Sequence, residues 1–223
     1  MIEVNENYQL KMEEIILENQ KKGKVPTLLL QACCAPCSSA VLERISDFFR
    51  VTILYYNPNI SDSKEYEKRL LEVEKFVEQI NTKNPIRVIP GRYEPKEFFH
   101  AVSGYESLGE GSERCFRCYR LRLEETARIA KEESFDYFGT TLSISPYKNS
   151  RVLNQIGKEL ETAYQVSYLY ADFKKKNGYQ RSIELSKKYG LYRQDYCGCI
   201  YSKAERDQFL REREFLEEQE RVV

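Results

Sequence analysis

The sequence has little of what several common functional sites require. It contains one histidine, His100, among 223 residues, which argues against zinc or non-haem iron sites built on histidine ligands. No apolar run approaches the roughly 18 residues of a membrane helix, and no Gly/Ser-rich linker divides the chain. The 35 basic and 35 acidic residues balance, so no global field attracts nucleic acid. The first residues are polar rather than an apolar signal region, which favours a cytoplasmic protein.

Cysteine is also absent from most of the chain, because all seven cysteines fall in three short clusters. Thiolates that ligate a metal or redox centre must converge within a few ångströms, and such short spacings are typical of these sites. Seven thiols are more than one four-coordinate ion needs. The sequence therefore predicts two metal centres, or one centre plus a reactive thiol pair. The clusters are Cys33, Cys34 and Cys37; Cys115 and Cys118; and Cys197 and Cys199.

Short apolar segments alternate with helical patterns along the chain. This alternation predicts the α/β class, with a parallel sheet covered by helices on both faces. We expect a single domain over residues 1–223, with a peripheral helix in the first twenty residues and a helical tail over residues 203–223. The predicted strands cover residues 27–31, 51–55, 86–89, 137–141 and 167–170, and the predicted helices cover residues 38–48, 64–80, 115–132 and 150–164.

The first cysteine cluster follows directly after the first predicted strand. Open α/β sheets bind ligands at the carboxyl ends of their strands, so Cys33 and Cys34 lie where a functional site is expected. Pro36 disfavours helical geometry at Ala35 and suits the first turn of a helix. Cys37 would then lie in that turn, where the helix dipole and free amides stabilise a thiolate.

The other two clusters are pairs that can each reach one ligand. Cys115 and Cys118 are three residues apart and share one face of a predicted helix. Cys197 and Cys199 lie on the same side of an extended segment, where they can bind a second metal or form a strained, easily reduced disulfide. Three classes remain open from these residues alone: a redox iron–sulfur enzyme, a structural zinc in a nucleotide-handling enzyme, and a metal-free thiol oxidoreductase.

Five distinctive motifs follow one another along the chain. They are Cys-Cys-Ala-Pro-Cys at 33–37, Tyr-Tyr-Asn-Pro-Asn-Ile at 55–60, Arg-Cys-Phe-Arg-Cys-Tyr at 114–119, Thr-Thr-Leu-Ser-Ile-Ser-Pro-Tyr-Lys at 140–148, and Tyr-Arg-Gln-Asp-Tyr-Cys-Gly-Cys at 192–199. In this order they resemble the cobalamin-independent epoxyqueuosine reductases, and the resemblance spans residues 27–202. It implies the last step of queuosine biosynthesis, in which the epoxide oxygen is removed from epoxyqueuosine in tRNA, and it implies a [4Fe–4S] cluster. It also implies a Rossmann-like three-layer fold related to the adenine-nucleotide-hydrolase-like (PP-loop) proteins.

The alternative function is a zinc-stabilised tRNA-modifying enzyme of the PP-loop type. Such enzymes carry a glycine-rich phosphate loop after the first strand, where backbone amides cradle the phosphate. Residues 33–37 contain no glycine. The sequence therefore favours the reductase.

The resemblance also suggests roles for individual residues. It implies that Cys33, Cys34, Cys115 and Cys118 ligate the cluster, although the residues alone allow Cys37 to replace either of the first two. The thiols that remain would bind an additional iron or, as a Cys197–Cys199 redox disulfide, supply two electrons. The expected partners are tRNA carrying epoxyqueuosine at the anticodon and an electron donor that the sequence does not identify; no membrane partner is expected. Candidate proton donors are Tyr56, Tyr147, Tyr196 and Asp195, and candidate ligands for tRNA phosphates are Arg114, Arg117, Arg120, Lys148 and Arg193.

Overall fold

The computed structural model describes residues 6–222, and the side chains as far as residue 219. Its strands form one five-stranded sheet in the order β3-β2-β1-β4-β5, and every neighbouring pair is parallel. This confirms the predicted α/β class, and each predicted strand overlaps an observed one. The strands are β1 (Thr27–Gln31), β2 (Arg50–Tyr55), β3 (Arg87–Pro90), β4 (Tyr137–Thr140) and β5 (Ser167–Tyr168).

The helices connect the strands and lie at both ends of the chain. Two of them, α4 and α7, are absent from the sequence-based prediction. Residues 1–5 and residue 223 of the predicted terminal helices lie outside the described residues. None of the helices in the described part of the chain is long and apolar enough to cross a membrane. The helices are α1 (Tyr8–Lys21), α2 (Ala35–Ile45), α3 (Ser63–Gln79), α4 (Pro95–Ala101), α5 (Glu113–Glu132), α6 (Ser150–Tyr164), α7 (Gly178–Lys188) and α8 (Ile200–Val222), with a 3₁₀ turn at Leu142–Ile144.

The leucines of β1 explain why helices cover both faces of the sheet. Successive side chains of a strand point to opposite faces. Leu28 and Leu30 therefore pack in one apolar cluster with residues of α2 and α7, such as Leu185. Leu29 packs in a second cluster with residues of α5 and α6, such as Leu123. Each of the three β1 leucines is fully buried, and burying such a side chain stabilises the fold by about 1.5–3 kcal/mol.

The strand order places a crevice at the carboxyl ends of β1 and β4. The chain leaves β1 towards β2 on one side and reaches β4 later on the other, so the connections after β1 and β4 diverge. Such a switch point is where open parallel sheets bind ligands. The segment after β1 contains Cys33 and Cys34, and the segment after β4 contains residues 141–148. Two of the five sequence motifs therefore meet at this crevice.

Candidate metal centre

A buried polar network fixes the backbone beneath the first cysteine cluster. The Gln31 side-chain amide donates to Asn57 Oδ1 at 3.1 Å, and Asn57 Nδ2 donates to the Ala32 carbonyl at 2.8 Å. The Thr140 hydroxyl donates to Gln31 Oε1 at 2.8 Å. These bonds tie together the ends of β1, β2 and β4. Asn57 thereby holds the peptide immediately before Cys33, which gives the asparagine motif after β2 a positional role.

Three thiols meet at the start of α2. The sulfur atoms of Cys33, Cys34 and Cys37 all lie within 4.8 Å of one another, and those of Cys33 and Cys34 are 3.7 Å apart. Cys34 is the residue before the helix, and Pro36 lies in its first turn, so Cys37 occupies the first turn as predicted. Three soft sulfur donors this close are suited to a thiophilic metal.

A large cavity of about 670 Å³ lies beside these three cysteines. Its walls come from the segments after β1 and β4, from residues 193–197, and from the first turns of α8. Cys197 lines this cavity and also borders a second, narrow cavity of about 10 Å³. The narrow cavity is lined by Cys115, Cys118, Cys197 and Cys199.

The seven thiols thus fall into two groups that border adjoining cavities. Cys37 lies with Cys33 and Cys34, whereas Cys115 and Cys118 share the narrow cavity with the third pair. The predicted cluster ligands come from both groups, since Cys33 and Cys34 border the large cavity and Cys115 and Cys118 border the narrow one. This ligand set stays a prediction.

All seven cysteines are free thiols, which gives no support to the Cys197–Cys199 disulfide that the sequence left open beside a second metal. Cys199 instead lies before the first residue of α8, and its sulfur accepts a hydrogen bond from the Ser202 backbone amide at 3.3 Å. This is the position of a helix N-cap, where a side chain satisfies one of the free amides of the first turn. Gly198, between the two cysteines, has φ of +117°.

Two buried arginines supply positive charge to the thiols. Hydrogen bonds from Cys34 and Cys37, followed by the charges of Arg122 and Arg69, hold the pKa of Cys33 well below its usual range despite burial. Burial, followed by the charges of neighbouring thiols, outweighs Arg122 at Cys118 and raises its pKa to about 12. Arg69 donates to the Cys197 carbonyl at 3.1 Å and to Glu65 at 2.7 Å.

Buried polar atoms without a hydrogen-bond partner concentrate at the narrow cavity. They include Asn59 Oδ1, the Tyr119 hydroxyl and both terminal nitrogens of Arg122, and all three residues line that cavity. Buried polar groups are nearly always satisfied in folded proteins, so such a concentration points to a group that is bound there. With four thiols in the same wall, the residues present fit an iron–sulfur group or zinc.

Two of the predicted phosphate ligands lie in the interior of the protein. Arg114 is 3% exposed and pairs with Glu205 at 2.8 Å, and Lys148 is 6% exposed and pairs with Glu110 at 2.6 Å. Both border the narrow cavity, and Lys148 borders the large one as well. Their burial disagrees with the predicted role in binding tRNA phosphates, because a phosphate on a tRNA surface would have to displace a carboxylate from each.

The other three predicted phosphate ligands are exposed. Arg117 stacks on the Tyr105 ring, with 4.1 Å from the guanidinium to the ring centroid. Arg120 pairs with Glu159 at the surface. Arg193 donates to the Ser186 hydroxyl at 3.1 Å and lies in the wall of the large cavity. All three side chains are therefore open to solvent.

The candidate proton donors also divide into one buried residue and three that line a cavity. Tyr56 is fully buried, donates its hydroxyl to Glu97, and borders neither of the two cavities. The structure therefore does not favour Tyr56 as a proton donor. Tyr147, Tyr196 and Asp195 all line the large cavity, and Tyr147 is 70% exposed there.

Comparison with known proteins assigns the chain to a family. The profile of the family described as Epoxyqueuosine reductase QueH matches residues 28–205. The chain belongs to the epoxyqueuosine reductase QueH family. The match covers all seven cysteines, the narrow cavity, and the sheet except for the first residue of β1. It also covers the large cavity except for Arg206, Phe209 and Leu210.

Individual relatives agree over most of their length. An epoxyqueuosine reductase QueH of Streptococcus pyogenes serotype M1 is 40% identical over 198 residues, which is 88% of this chain and 78% of the relative. The QueH of Thermotoga maritima is 39% identical over 183 residues, 81% of this chain and 92% of the relative. A structural neighbour is the U34-tRNA thiolase NcsA from Methanococcus maripaludis with its [4Fe-4S] cluster, at a TM-score of 0.48 and 12% identity over 90% of this chain and 71% of that chain.

Sequence reasoning gave no role to three residues that border both cavities, Glu110, Arg122 and Ser202. Arg122 lies four residues after Cys118 on α5, and this spacing places both on one helix face. That signal was available in the arginine-rich run of residues 114–122. Glu110 lies in an irregular segment without periodicity, so nothing in the sequence ties it to Lys148.

Proposed function

We propose that this chain reduces epoxyqueuosine in tRNA to queuosine. The observation that carries the proposal is the meeting of Cys33, Cys34 and Cys37 at a cavity of about 670 Å³ on the ligand-binding edge of the sheet, in a member of the QueH family. In this reaction the two C–O bonds of the epoxide break, a carbon–carbon double bond forms, and the oxygen leaves as water. The conversion consumes two electrons and two protons.

The cysteines hold the redox group. We propose that Cys33, Cys34, Cys115 and Cys118 hold a [4Fe–4S] cluster. The other three thiols, Cys37, Cys197 and Cys199, hold an additional iron, or Cys197 and Cys199 act as a redox dithiol. A cluster of this kind supplies electrons one at a time, and an added iron supplies Lewis acidity.

Residues in the cavity wall bind and orient the modified nucleoside. Tyr147 and Phe209 offer aromatic faces on which a base can stack, and such stacking contributes about 1–3 kcal/mol per base. Lys148 and Arg122 are buried cations that border both cavities. We propose that the Lys148 ammonium group hydrogen-bonds to the departing oxygen and stabilises the negative charge that develops there. Tyr147, Tyr196 or Asp195 then delivers a proton from the same wall.

The macromolecular partners fit the exposed charges. We propose that the three exposed arginines, Arg117, Arg120 and Arg193, contact tRNA phosphates, and that a separate electron donor regenerates the reduced enzyme. The protein acts in the cytoplasm, where its tRNA substrate and a reducing environment are found, and it is a single domain over residues 1–223.

The decisive experiment combines metal analysis with turnover. Anaerobically purified protein should contain about four sulfides and four or five irons per chain, and with a reductant it should convert epoxyqueuosine in tRNA to queuosine. Cys199→Ser should abolish turnover and leave the cluster absorbance largely intact. Loss of the cluster in that variant would contradict the proposed division of ligands. One zinc per chain with no sulfide would instead support the zinc-stabilised tRNA-modifying alternative.

A further inference from the structure

Arg122 is a buried cation with an unused hydrogen-bonding end. Its side chain is 1% exposed, and its Nε donates to the Cys118 carbonyl at 3.3 Å. Its two terminal nitrogens are buried and have no hydrogen-bond partner. The residue borders both the narrow and the large cavity, so the free end of the guanidinium lies where the two groups of thiols adjoin.

A guanidinium in this position requires an anion. Arginine stays charged in proteins, and a buried charge without a partner costs several kcal/mol. Among the described residues no carboxylate pairs with Arg122. The other two buried arginines near the thiols are paired, Arg69 with Glu65 at 2.7 Å and Arg114 with Glu205 at 2.8 Å. Cys118 and Cys197 line the narrow cavity together with Arg122, and Cys33 and Cys197 line the large cavity with it. Thiol side chains therefore lie in the walls that the free end of Arg122 shares.

We propose that Arg122 donates hydrogen bonds to sulfur of the iron–sulfur group held by these cysteines and thereby raises its reduction potential. Reduction adds negative charge to the group. A fixed positive charge and N–H donors stabilise that charge more in the reduced than in the oxidised state, and both are established determinants of such potentials. This inference rests on the proposed function only in that it needs an iron–sulfur group at the cysteines.

The test measures the reduction potential of the group without tRNA. Arg122→Gln removes the charge, and Arg122→Lys keeps a charge but loses the planar pair of donors. Arg128→Gln is the matched control, because Arg128 lies on the same helix, is half exposed, and pairs with Glu125 and Glu132. Iron and sulfide are assayed for each protein, and the midpoint potential is determined by a redox titration followed by EPR.

At the wild-type midpoint potential, we expect Arg122→Gln to lower the ratio of reduced to oxidised cluster at least tenfold. A tenfold change corresponds to a downward shift of the midpoint potential by about 59 mV for a one-electron couple. Arg122→Lys should shift the potential in the same direction by less, and Arg128→Gln should leave it unchanged. Equal potentials in wild type and Arg122→Gln would overturn the inference. So would equal shifts in Arg122→Gln and Arg128→Gln, which would indicate a general charge effect.

A second readout uses the wild-type protein and covers the case in which the Arg122 variants fail to assemble the group. With ¹⁵N-labelled arginine, the reduced protein should show weak ¹⁵N couplings in pulsed EPR, and their absence would overturn the inference. Wild-type protein that binds zinc and no sulfide would overturn this inference together with the proposed function. Cluster-loaded variants with unchanged potentials would overturn the inference alone.

Discussion

Asn57 should be among the residues whose loss most affects the first cysteine cluster, although it contacts no cysteine side chain. It is fully buried and makes two side-chain hydrogen bonds, at 2.8 Å to the Ala32 carbonyl and at 3.1 Å from Gln31. Asn57→Ala leaves the Ala32 carbonyl without its donor in the protein interior. Gln31 keeps a second acceptor, the Tyr56 carbonyl at 3.2 Å, so its loss is smaller.

The expected destabilisation follows from these two losses. A buried acceptor left unsatisfied costs about 1–3 kcal/mol, and a lost bond whose donor keeps another partner costs about 1 kcal/mol. Asn57→Ala should therefore lower the free energy of unfolding by about 2–4 kcal/mol. Urea unfolding of anaerobically purified protein, followed by circular dichroism, measures this change. Iron release to a chelator should also be faster, because the peptide before Cys33 is no longer held.

A matched control makes the reasoning refutable. Asn84 donates to the Ser46 carbonyl at 2.8 Å, which is the same chemistry away from the cysteines, so Asn84→Ala should cost about 1 kcal/mol and leave iron release unchanged. If Asn57→Ala stays within about 0.5 kcal/mol of wild type, as an ordinary surface substitution does, the network does not support the cluster. Equal iron release from both variants would lead to the same conclusion.

Three further outcomes are expected. Gly198→Ala should destabilise the protein by about 1–3 kcal/mol and reduce turnover, because φ is +117° and the new Cβ would lie 2.8 Å from Ile60. Gly104→Ala, where φ is +82° and no atom lies near the new Cβ, controls for backbone strain. Equal destabilisation by the two substitutions would argue against the clash with Ile60. Lys148→Met should reduce kcat about 10²–10³-fold with little change in KM, whereas Glu110→Gln should keep most of the activity. A change in KM alone would show that Lys148 acts in substrate binding. The logarithm of the association constant for tRNA should fall with the logarithm of salt concentration at a slope of about −2 to −3, because three exposed arginines contribute roughly −0.7 to −0.9 each. An affinity that does not change with salt would argue for a free nucleoside substrate.

The sheet could be predicted because its strands are buried on both faces. Parallel strands covered by helices read as continuous apolar runs, and β1 reads Thr-Leu-Leu-Leu-Gln. The two helices that the sequence did not predict are short, and few of their residues are buried. Helix α4 has seven residues and buries Phe98 alone. Helix α7 follows the basic run of residues 174–176, which is typical of a loop in the sequence. In the structure, two residues with positive φ precede this helix.

The site was harder to predict, because charge is visible in a sequence and burial is not. Arg114 and Lys148 lie in motifs rich in basic residues, and a basic residue without a visible partner reads as a surface ligand for phosphate. Their partners, Glu205 and Glu110, are 91 and 38 residues away in the chain. Only the folded sheet edge and the start of α8 bring each pair together.

The sheet order also explains why landmarks so far apart in the sequence form one site. β1 lies between β2 and β4, so the segments after these three strands emerge side by side, and the Gln31–Asn57–Thr140 network joins them. Helix α5 then brings Cys118 and Arg122 to this edge on one face, and Cys199 at the start of α8 closes the narrow cavity. Each cysteine cluster begins or precedes a helix, where free backbone amides are available to donate to sulfur, as the Ser202 amide does to Cys199. Residues of α8 also line the large cavity, and the Ser202 amide of that helix donates to Cys199, so a chain that ended before α8 would lose one wall of the large cavity and the hydrogen bond that holds the Cys199 sulfur.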